Sequence, residues 1–384
     1  MKIAIMVRGF IPVPRPEDIV YVIIDLAQTI AEELANRGHQ VDFYAPNGSR
    51  LNLPVRTKTM GLRALTKTRA ELDKLLKTKD LLTRYMPSLW DRKLATEMLQ
   101  RAAAGEYDIV HFHHPESALT LAPLFPSVPV VYTMHDSLGR WHHEIFGQFS
   151  SPNQYCISIS DRQRKGAPNL PYAATVYNGV DIDRFTFNPK PADYLLFCGR
   201  IVPEKGVSEA VRIARRTKQK LYIIGPVLPE NRAYFNKFVK PYLDDQIAYL
   251  GHKKNVETVE YFQNAKALLL PLKWEEPFGV TMIEAMACGT PVIVMNRGSA
   301  AEVVEDGKTG FVCNRMRDMA EAVQKIGQIK RKDCRDRVEK LFTIKAMVDN
   351  YESTFQTIAS YHHALLPLKM GAPSAQILPS NLEE

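Results

Sequence analysis

Trp274-Glu275-Glu276-Pro277-Phe278-Gly279-Val280-Thr281-Met282-Ile283-Glu284-Ala285-Met286-Ala287-Cys288-Gly289-Thr290-Pro291-Val292-Ile293 decides how this chain is read. Two adjacent carboxylates lead into a short helix, which stops at Gly-Thr-Pro before a new strand. A helix opening at Phe278-Gly279 points its free N–H groups and positive dipole end above the sheet, a setting that suits phosphate or polyhydroxyl ligands. Glu276 stands at the mouth of this helix and Glu284 follows eight residues later. Eight residues are about two helical turns, so both carboxylates fall on roughly the same side. Two acids over a phosphate site match the needs of a sugar nucleotide, one for sugar hydroxyls and one for ribose. A lone Glu-x7-Glu is ordinarily a capped amphipathic helix, and the flanking Pro-Phe-Gly and Ala-Cys-Gly-Thr-Pro-Val argue against that plain reading.

The rest of the chain is consistent with this helix sitting in a doubly wound sheet. Strands at Ile3–Val7, Gln40–Ala45, Asp108–His113, Val128–Met134, Tyr155–Ile159 and Ala174–Tyr177 alternate with helices at 19–37 and across 62–104. After the turn Asn178–Asp183 and a Pro-bearing stretch at 188–191, the alternation restarts. Strands are expected at Tyr194–Cys198, Leu221–Ile224, Ile247–Leu250, Ala267–Leu272, Val292–Met295 and Gly310–Val312. Helices are expected at 207–217, 231–243, 256–264, 280–288, 316–327, 330–340 and Ile344–His363. Such alternation predicts parallel sheets covered on both faces, with ligands outside the carboxyl ends of the strands.

The 384 residues suit two domains. A hydrophobic share of 45% and a charged share of 24% are those of a globular protein. No stretch approaches the ~20 apolar residues that span a bilayer. Met1–Val7 is too short for a signal peptide and reads as the first strand. Five scattered cysteines without a C-x-x-C pair point to reduced thiols and a cytoplasmic setting. The net charge of +8 resides entirely in residues 50–101, where thirteen Lys or Arg face five acids. That region fits a solvated helical face, an anionic acceptor or the inner surface of a membrane. With only Tyr85 and Trp90 as aromatics there, nucleic-acid readout is not expected.

A second segment, Gly199-Arg200-Ile201-Val202-Pro203-Glu204-Lys205-Gly206, lies between a strand and a helix. Arg binds phosphate through a bidentate fork and Lys adds a point charge, so the pair suits a diphosphate. Together with the Glu-x7-Glu helix, this segment resembles the retaining glycosyltransferases of family 4. The resemblance covers about residues 1–365, strongly over 175–312 and thinly over 10–104. It implies an α/β chain of GT-B fold: two Rossmann-like doubly wound parallel-sheet domains facing across a cleft. Residues 1–180 then form the acceptor-side domain and 181–343 the nucleotide-sugar domain. A helix at 344–365 crosses back to the first, and 366–384 reads as a flexible tail.

The resemblance also assigns roles. Arg200 and Lys205 hold the donor diphosphate, Glu276 the donor sugar, Glu284 the ribose, and the amides of Phe278, Gly279 and Val280 the sugar or phosphate oxygens. His135, at a strand end in Tyr132-Thr133-Met134-His135-Asp136, meets the sugar from the opposite domain. The implied activity is transfer from a nucleotide-sugar donor, a UDP-sugar first and GDP-mannose second, to a hydroxyl of a glycan, lipid-linked or small-molecule acceptor. No cofactor or metal is expected: Asp181-Ile182-Asp183 matches a metal motif formally but occupies the family's interdomain turn. His111, His113 and His114 crowd one strand end with poor ligand geometry. Asn296–Phe311 resembles the family's Gly-Gly-x-Pro-Glu-Val-Val segment, with Ser299 and Ala301 replacing Gly and Pro. The first loop departs from the pattern: where the family carries Gly-Gly, letting backbone approach acceptor and donor phosphate, Gly9 is expected to serve alone in binding the donor, with Arg15 reaching the cleft. Two other readings stay open, a GT-B sugar-nucleotide epimerase and a non-catalytic module that docks a membrane or polyanion.

Overall fold

The computed structural model describes residues 1–253 and 255–370. Two parallel sheets organise the chain. The first contains β1 (Lys2–Met6), β2 (Gln40–Tyr44), β3 (Arg56–Lys58), β4 (Ile109–Phe112), β5 (Val130–Met134), β6 (Gln154–Ser158) and β7 (Tyr172–Thr175), in the order β3-β2-β1-β4-β5-β6-β7. The second contains β8 (Leu195–Cys198), β9 (Leu221–Ile224), β10 (Ile247–Tyr249), β11 (Ala267–Leu270), β12 (Val292–Met295) and β13 (Gly310–Cys313), in the order β10-β9-β8-β11-β12-β13. In each sheet the strand order reverses beside the first strand, between β1 and β4 or between β8 and β11. Doubly wound sheets open their ligand crevice at that switch point.

Burial explains the strands. The Ala-Leu-Leu-Leu of β11 and the Val-Ile-Val-Met of β12 are buried throughout, as expected for strands covered on both faces. Register is in step across the sheet centre, with Ile3 opposite Ile109 and Phe112 opposite Tyr132. Strand β3 escapes the sequence reading because Arg-Thr-Lys is a polar three-residue edge. The region 62–104 resolves into helices Arg69–Leu76 and Leu81–Ala103, capped by Thr68 and Asp80, whose side chains accept from Glu71 N and Thr83 N. The helix expected over 231–243 is broken. Arg232–Phe238 is helical, and Pro241, which cannot donate to a helix, leaves only a 3₁₀ turn at Lys240–Tyr242.

The last helix, Ile344–Met370, leaves the second sheet and packs on the first. Its Met347, Val348, Tyr351, Phe355 and Ile358 share one buried cluster with Ile3, Ile5 and Ile24. Glu352 fixes it further, accepting from Arg37 at 2.8 Å and pairing with His39 at 2.9 Å. This helix runs beyond residue 365 into the stretch read as a tail, and residues 371–384 lie outside the described residues. Among the described residues no helix is long and apolar enough to cross a membrane.

Candidate active site

The loop Trp274–Gly279 leads from β11 to the helix Val280–Ala287, and residues from both halves hold it in place. From the second half, the Gly298 amide donates to Glu275 Oε2 at 2.7 Å, Ser299 N to the Glu276 carbonyl at 2.9 Å, and Ser299 Oγ to the Phe278 carbonyl at 2.7 Å. From the first half, Ser137 Oγ donates to the Glu275 carbonyl at 2.6 Å and Ser160 Oγ to the Pro277 carbonyl at 2.7 Å. Glu302 accepts from the amides of Asp161 and Arg162 at 2.8 and 2.6 Å. The loop therefore spans the junction between the sheets, and its own geometry depends on both.

Gly298 shows how tight the arrangement is. Its φ is +57°, and a Cβ there would lie 2.0 Å from the Glu276 carbonyl oxygen. Gly298→Ala is expected to displace the Glu276 backbone, costing about 1–3 kcal/mol of stability from the left-handed conformation alone. Thermal denaturation against the native protein checks the loss. An unchanged melting point would show that the loop relaxes freely.

Inside this frame Lys205 and Glu276 form an ion pair, and Trp274 Nε1 donates to the same Glu276 oxygen at 3.0 Å. The Lys205 ammonium also lies 4.9 Å from the Trp274 ring centroid, within cation–π range. Glu276 is buried, so its charge depends on these partners. Arg200 is exposed, and its guanidinium has no partner among the described residues. The amides of Phe278, Gly279 and Val280 likewise have none there, as expected for the first positions of a helix. Gly279 supplies the φ of +79° that lets the loop enter the helix. Glu284, two turns on, has no side-chain hydrogen bond among the described residues. Burial pushes its carboxyl up to about 7, against the opposing pull of Arg184 and with a further push from Asp25 of the first half.

The facing edge belongs to the first sheet. His135 follows β5, and its Nε2 lies 2.9 Å from Nδ1 of His113, the rings stacked 5.2 Å apart. Burial holds His135 down to about 3 and His113 well below its usual value, so both are neutral at pH 7. One ring donates and the other accepts, which leaves His135 its Nδ1 for a ligand. Positive charge at the site therefore comes from Arg200 and Lys205 rather than from histidine. His111 pairs elsewhere, with Thr133 Oγ1 at 2.8 Å, and Thr133 lies 3.1 Å from Tyr351 OH. No group of three or more His, Cys, Asp or Glu among the described residues is placed to hold a metal ion.

Gly9 serves packing. Its amide donates to Asp91 Oδ1 at 2.6 Å, and a Cβ would meet Leu94 Cδ1 at 2.7 Å. With its N–H taken, Gly9 offers no free donor to a phosphate. Arg15 does not extend into open space either, because Asp25 holds its guanidinium at 2.8–3.0 Å. A residue the sequence reading passed over occupies this edge instead. Arg8 pairs with Asp91 at 3.0 Å and with Glu116, and its Nε donates to Tyr21 OH at 3.4 Å. Tyr21 in turn stacks on His114 with its hydroxyl 3.0 Å from Nε2. Arg8 and Gly9, just beyond β1, were the available signal; Tyr21, Asp91 and Glu116 had none.

Known proteins show the same two-part pattern. The family described as glycosyl transferases group 1 matches residues 181–341, and glycosyltransferase family 4 matches residues 26–184. Glycogen synthase of Mycobacterium tuberculosis is 28% identical over 254 residues, which cover 58% of this chain and 59% of that enzyme. The chain thus spans little more than half of that relative's length. Phosphatidyl-myo-inositol mannosyltransferase of Mycobacterium leprae is 25% identical over 313 residues, 74% of this chain and 77% of the relative. Among solved structures, Anabaena HepE in complex with UDP superposes with a TM-score of 0.69 at 17% identity, covering 93% of this chain and all of that one. Each half matches its own part of one family's two-domain plan, and hydrogen bonds from both halves hold the Glu276 loop at their junction: the chain belongs to the family 4 glycosyltransferases, with the GT-B fold.

Proposed function

We propose that the protein transfers a sugar, with retention at the anomeric carbon and without a metal, from a nucleotide-sugar donor to a hydroxyl of a glycan, lipid-linked or small-molecule acceptor. One observation carries this reading. The Lys205–Glu276–Trp274 cluster stands beside three helix-start amides and an exposed Arg200, none of which has a partner among the described residues, with Glu284 two turns below. Cations and amides are thus gathered for a diphosphate, and carboxylates for hydroxyls. A UDP-sugar is the first choice of donor, supported by the UDP complex of HepE; a mannosyl donor such as GDP-mannose is second, supported by the mannosyltransferase relative.

In the proposed reaction the acceptor oxygen attacks the anomeric carbon from the face the diphosphate leaves. The carbon–phosphate-oxygen bond breaks, and a departing phosphate oxygen takes the acceptor proton. Arg200, Lys205 and the amides of Phe278–Val280 stabilise the developing negative charge on the leaving group. Lys205 has three N–H groups, so it contacts phosphate while one remains on Glu276. Glu276 orients sugar hydroxyls and faces the positive charge that grows at the anomeric carbon. His135, neutral, acts as a hydrogen-bonding partner of the sugar. Approach of the two halves excludes water that would otherwise hydrolyse the donor.

A thermal-shift screen against UDP, GDP, ADP, TDP and their sugar adducts, with no metal added, tests the donor site. A ligand at 100 times its dissociation constant adds about 2.7 kcal/mol of stability. One nucleotide is expected to raise the melting point, and Arg200→Ala to abolish most of the shift. Were none of them to stabilise the native protein, the donor reading would fall.

A further inference from the structure

The helix Leu81–Ala103 carries apolar residues on two opposite faces. At 100° per residue, Pro87, Asp91, Leu94 and Met98 lie on the side that packs into the first domain, and all four are buried. Leu81, Leu82, Tyr85 and Leu89 fall within an arc of about 100° on the other side, and all four are exposed, Leu82 to 70%. Leu76, at the end of the preceding helix, adds a fifth exposed apolar side chain at the same corner. An amphipathic helix needs one apolar face for its core. The second one covers nothing among the described residues.

Six cations frame that stripe: Lys74, Lys77, Lys79, Arg84, Arg92 and Lys93. All are exposed, and none has a carboxylate partner among the described residues. Four of the five acids here are already engaged: Asp73 pairs with Arg69, Asp80 caps its helix through Thr83 N, Glu71 accepts from Lys67 N, and Asp91 is buried on Arg8 and Gly9. The fifth, Glu97, is half-buried and pairs with none of the six cations among the described residues. A cationic border that forms no ion pairs among the described residues, around apolar side chains that none of them covers, matches an anionic phospholipid surface: headgroups meet the Lys and Arg, and acyl chains meet Leu and Tyr. A soluble polyanion would use the cations and leave the leucines in water.

We infer that the solvent face of the helices Arg69–Leu76 and Leu81–Ala103 docks the protein onto an anionic lipid bilayer. The same helix holds Arg8 and Gly9 of the cleft on its inner side, through Asp91. Only a helix diameter, about 10–12 Å, therefore separates the bilayer surface from the first domain's edge of the cleft. Docking stands without the transferase reading. That a bilayer-anchored hydroxyl compound is the acceptor rests on it.

The test is flotation of the full chain with vesicles of phosphatidylcholine alone or mixed with phosphatidylglycerol. Binding to the mixed vesicles only, falling steeply between about 0.1 M and 1 M salt, is expected. Lys77→Glu/Lys79→Glu and Leu82→Asp/Tyr85→Asp are each expected to weaken it at least about tenfold. Both variants should melt cooperatively near the native temperature, which shows that they fold whether or not a nucleotide binds, and any nucleotide-induced shift of the native chain should be kept, which separates loss of docking from failure of the donor site. Equal binding to the two vesicle types, or none to either, would overturn the inference. So would a stable dimer that the Leu82→Asp/Tyr85→Asp variant dissolves, since a second copy would then be what covers the stripe.

Discussion

Glu276→Gln is expected to fold and to lose roughly 30- to 1,000-fold in turnover, about 2–4 kcal/mol of transition-state stabilisation. The reason lies in the charge arrangement of the site. Glu276 is buried against Lys205 and Trp274, and Gln keeps an oxygen for Trp274 Nε1 while removing the negative charge that the proposed reaction sets against the anomeric carbon. Lys205→Ala is expected to reduce turnover similarly, and in addition to destabilise the fold by about 3 kcal/mol, because it strands a buried carboxylate. The double variant Lys205→Ala/Glu276→Gln separates the two effects. Neutralising both partners should restore most of the melting point lost in Lys205→Ala, while release of nucleoside diphosphate from the donor stays low. Recovery of activity together with stability would show that the pair only holds the loop, and would remove its proposed chemical role.

Both members of this pair were legible in the sequence as site residues, though not as an ion pair, because each sits in a contiguous signal, Lys205 in Gly-Arg…Glu-Lys-Gly and Glu276 at the head of Glu-x7-Glu. The buried strands were legible for a related reason. β11 and β12 are short apolar runs whose composition is dictated by burial on both faces. What failed to show was anything built from residues far apart in the chain. Arg8 finds Asp91 across 83 positions, and Glu302 reaches the amides of Asp161 and Arg162 across some 140. Each of these is an ordinary polar residue until the fold brings its partner. Gly9 has a packing reason the sequence did not show: its missing Cβ makes room for Leu94, and its amide is held by Asp91. Ser137 and Ser160 show the same limit. They tie the first half to the Glu276 loop through hydroxyls that no local pattern distinguishes from solvent-facing serines.

Charge along the chain was legible as an amount and not as an arrangement. The excess over residues 50–101 can be counted directly, but only the fold shows that most nearby acids serve as caps and internal partners while six exposed cations keep no carboxylate partner among the described residues. The apolar stripe beside them was hidden in the sequence by its opposite. A helix with leucines on both sides has no clear amphipathic period, so Leu81–Leu89 reads as generically helical until the inner face is known.

Glu284 gives the second large effect, and its sign follows from where its carboxyl titrates. Burial raises it from an ordinary 4.5 to about 7, so the folded protein holds this proton more tightly than the unfolded chain. Its favourable contribution is therefore complete below about pH 4.5 and is lost as pH rises toward 7, by at most about 3 kcal/mol. Glu284→Gln cannot ionise, so it is expected to be more stable than the native protein at pH 8 and no more stable at pH 4. Donor binding should run the other way. If the ionised carboxylate accepts from ribose hydroxyls, the site must lose its proton before it binds, and affinity falls about tenfold per pH unit below 7. A UDP-sugar is the right probe, because its diphosphate diester does not titrate in this range. Calorimetric titration from about pH 5 to 8 should show affinity rising and levelling off near 7 in the native protein. Glu284→Gln should be flat with pH, weaker than native at pH 8 by about ten- to a hundredfold, and close to native at pH 5. Parallel pH profiles for the two proteins would place the ribose elsewhere and leave Glu284 as a buried acid that merely destabilises the empty cleft at high pH.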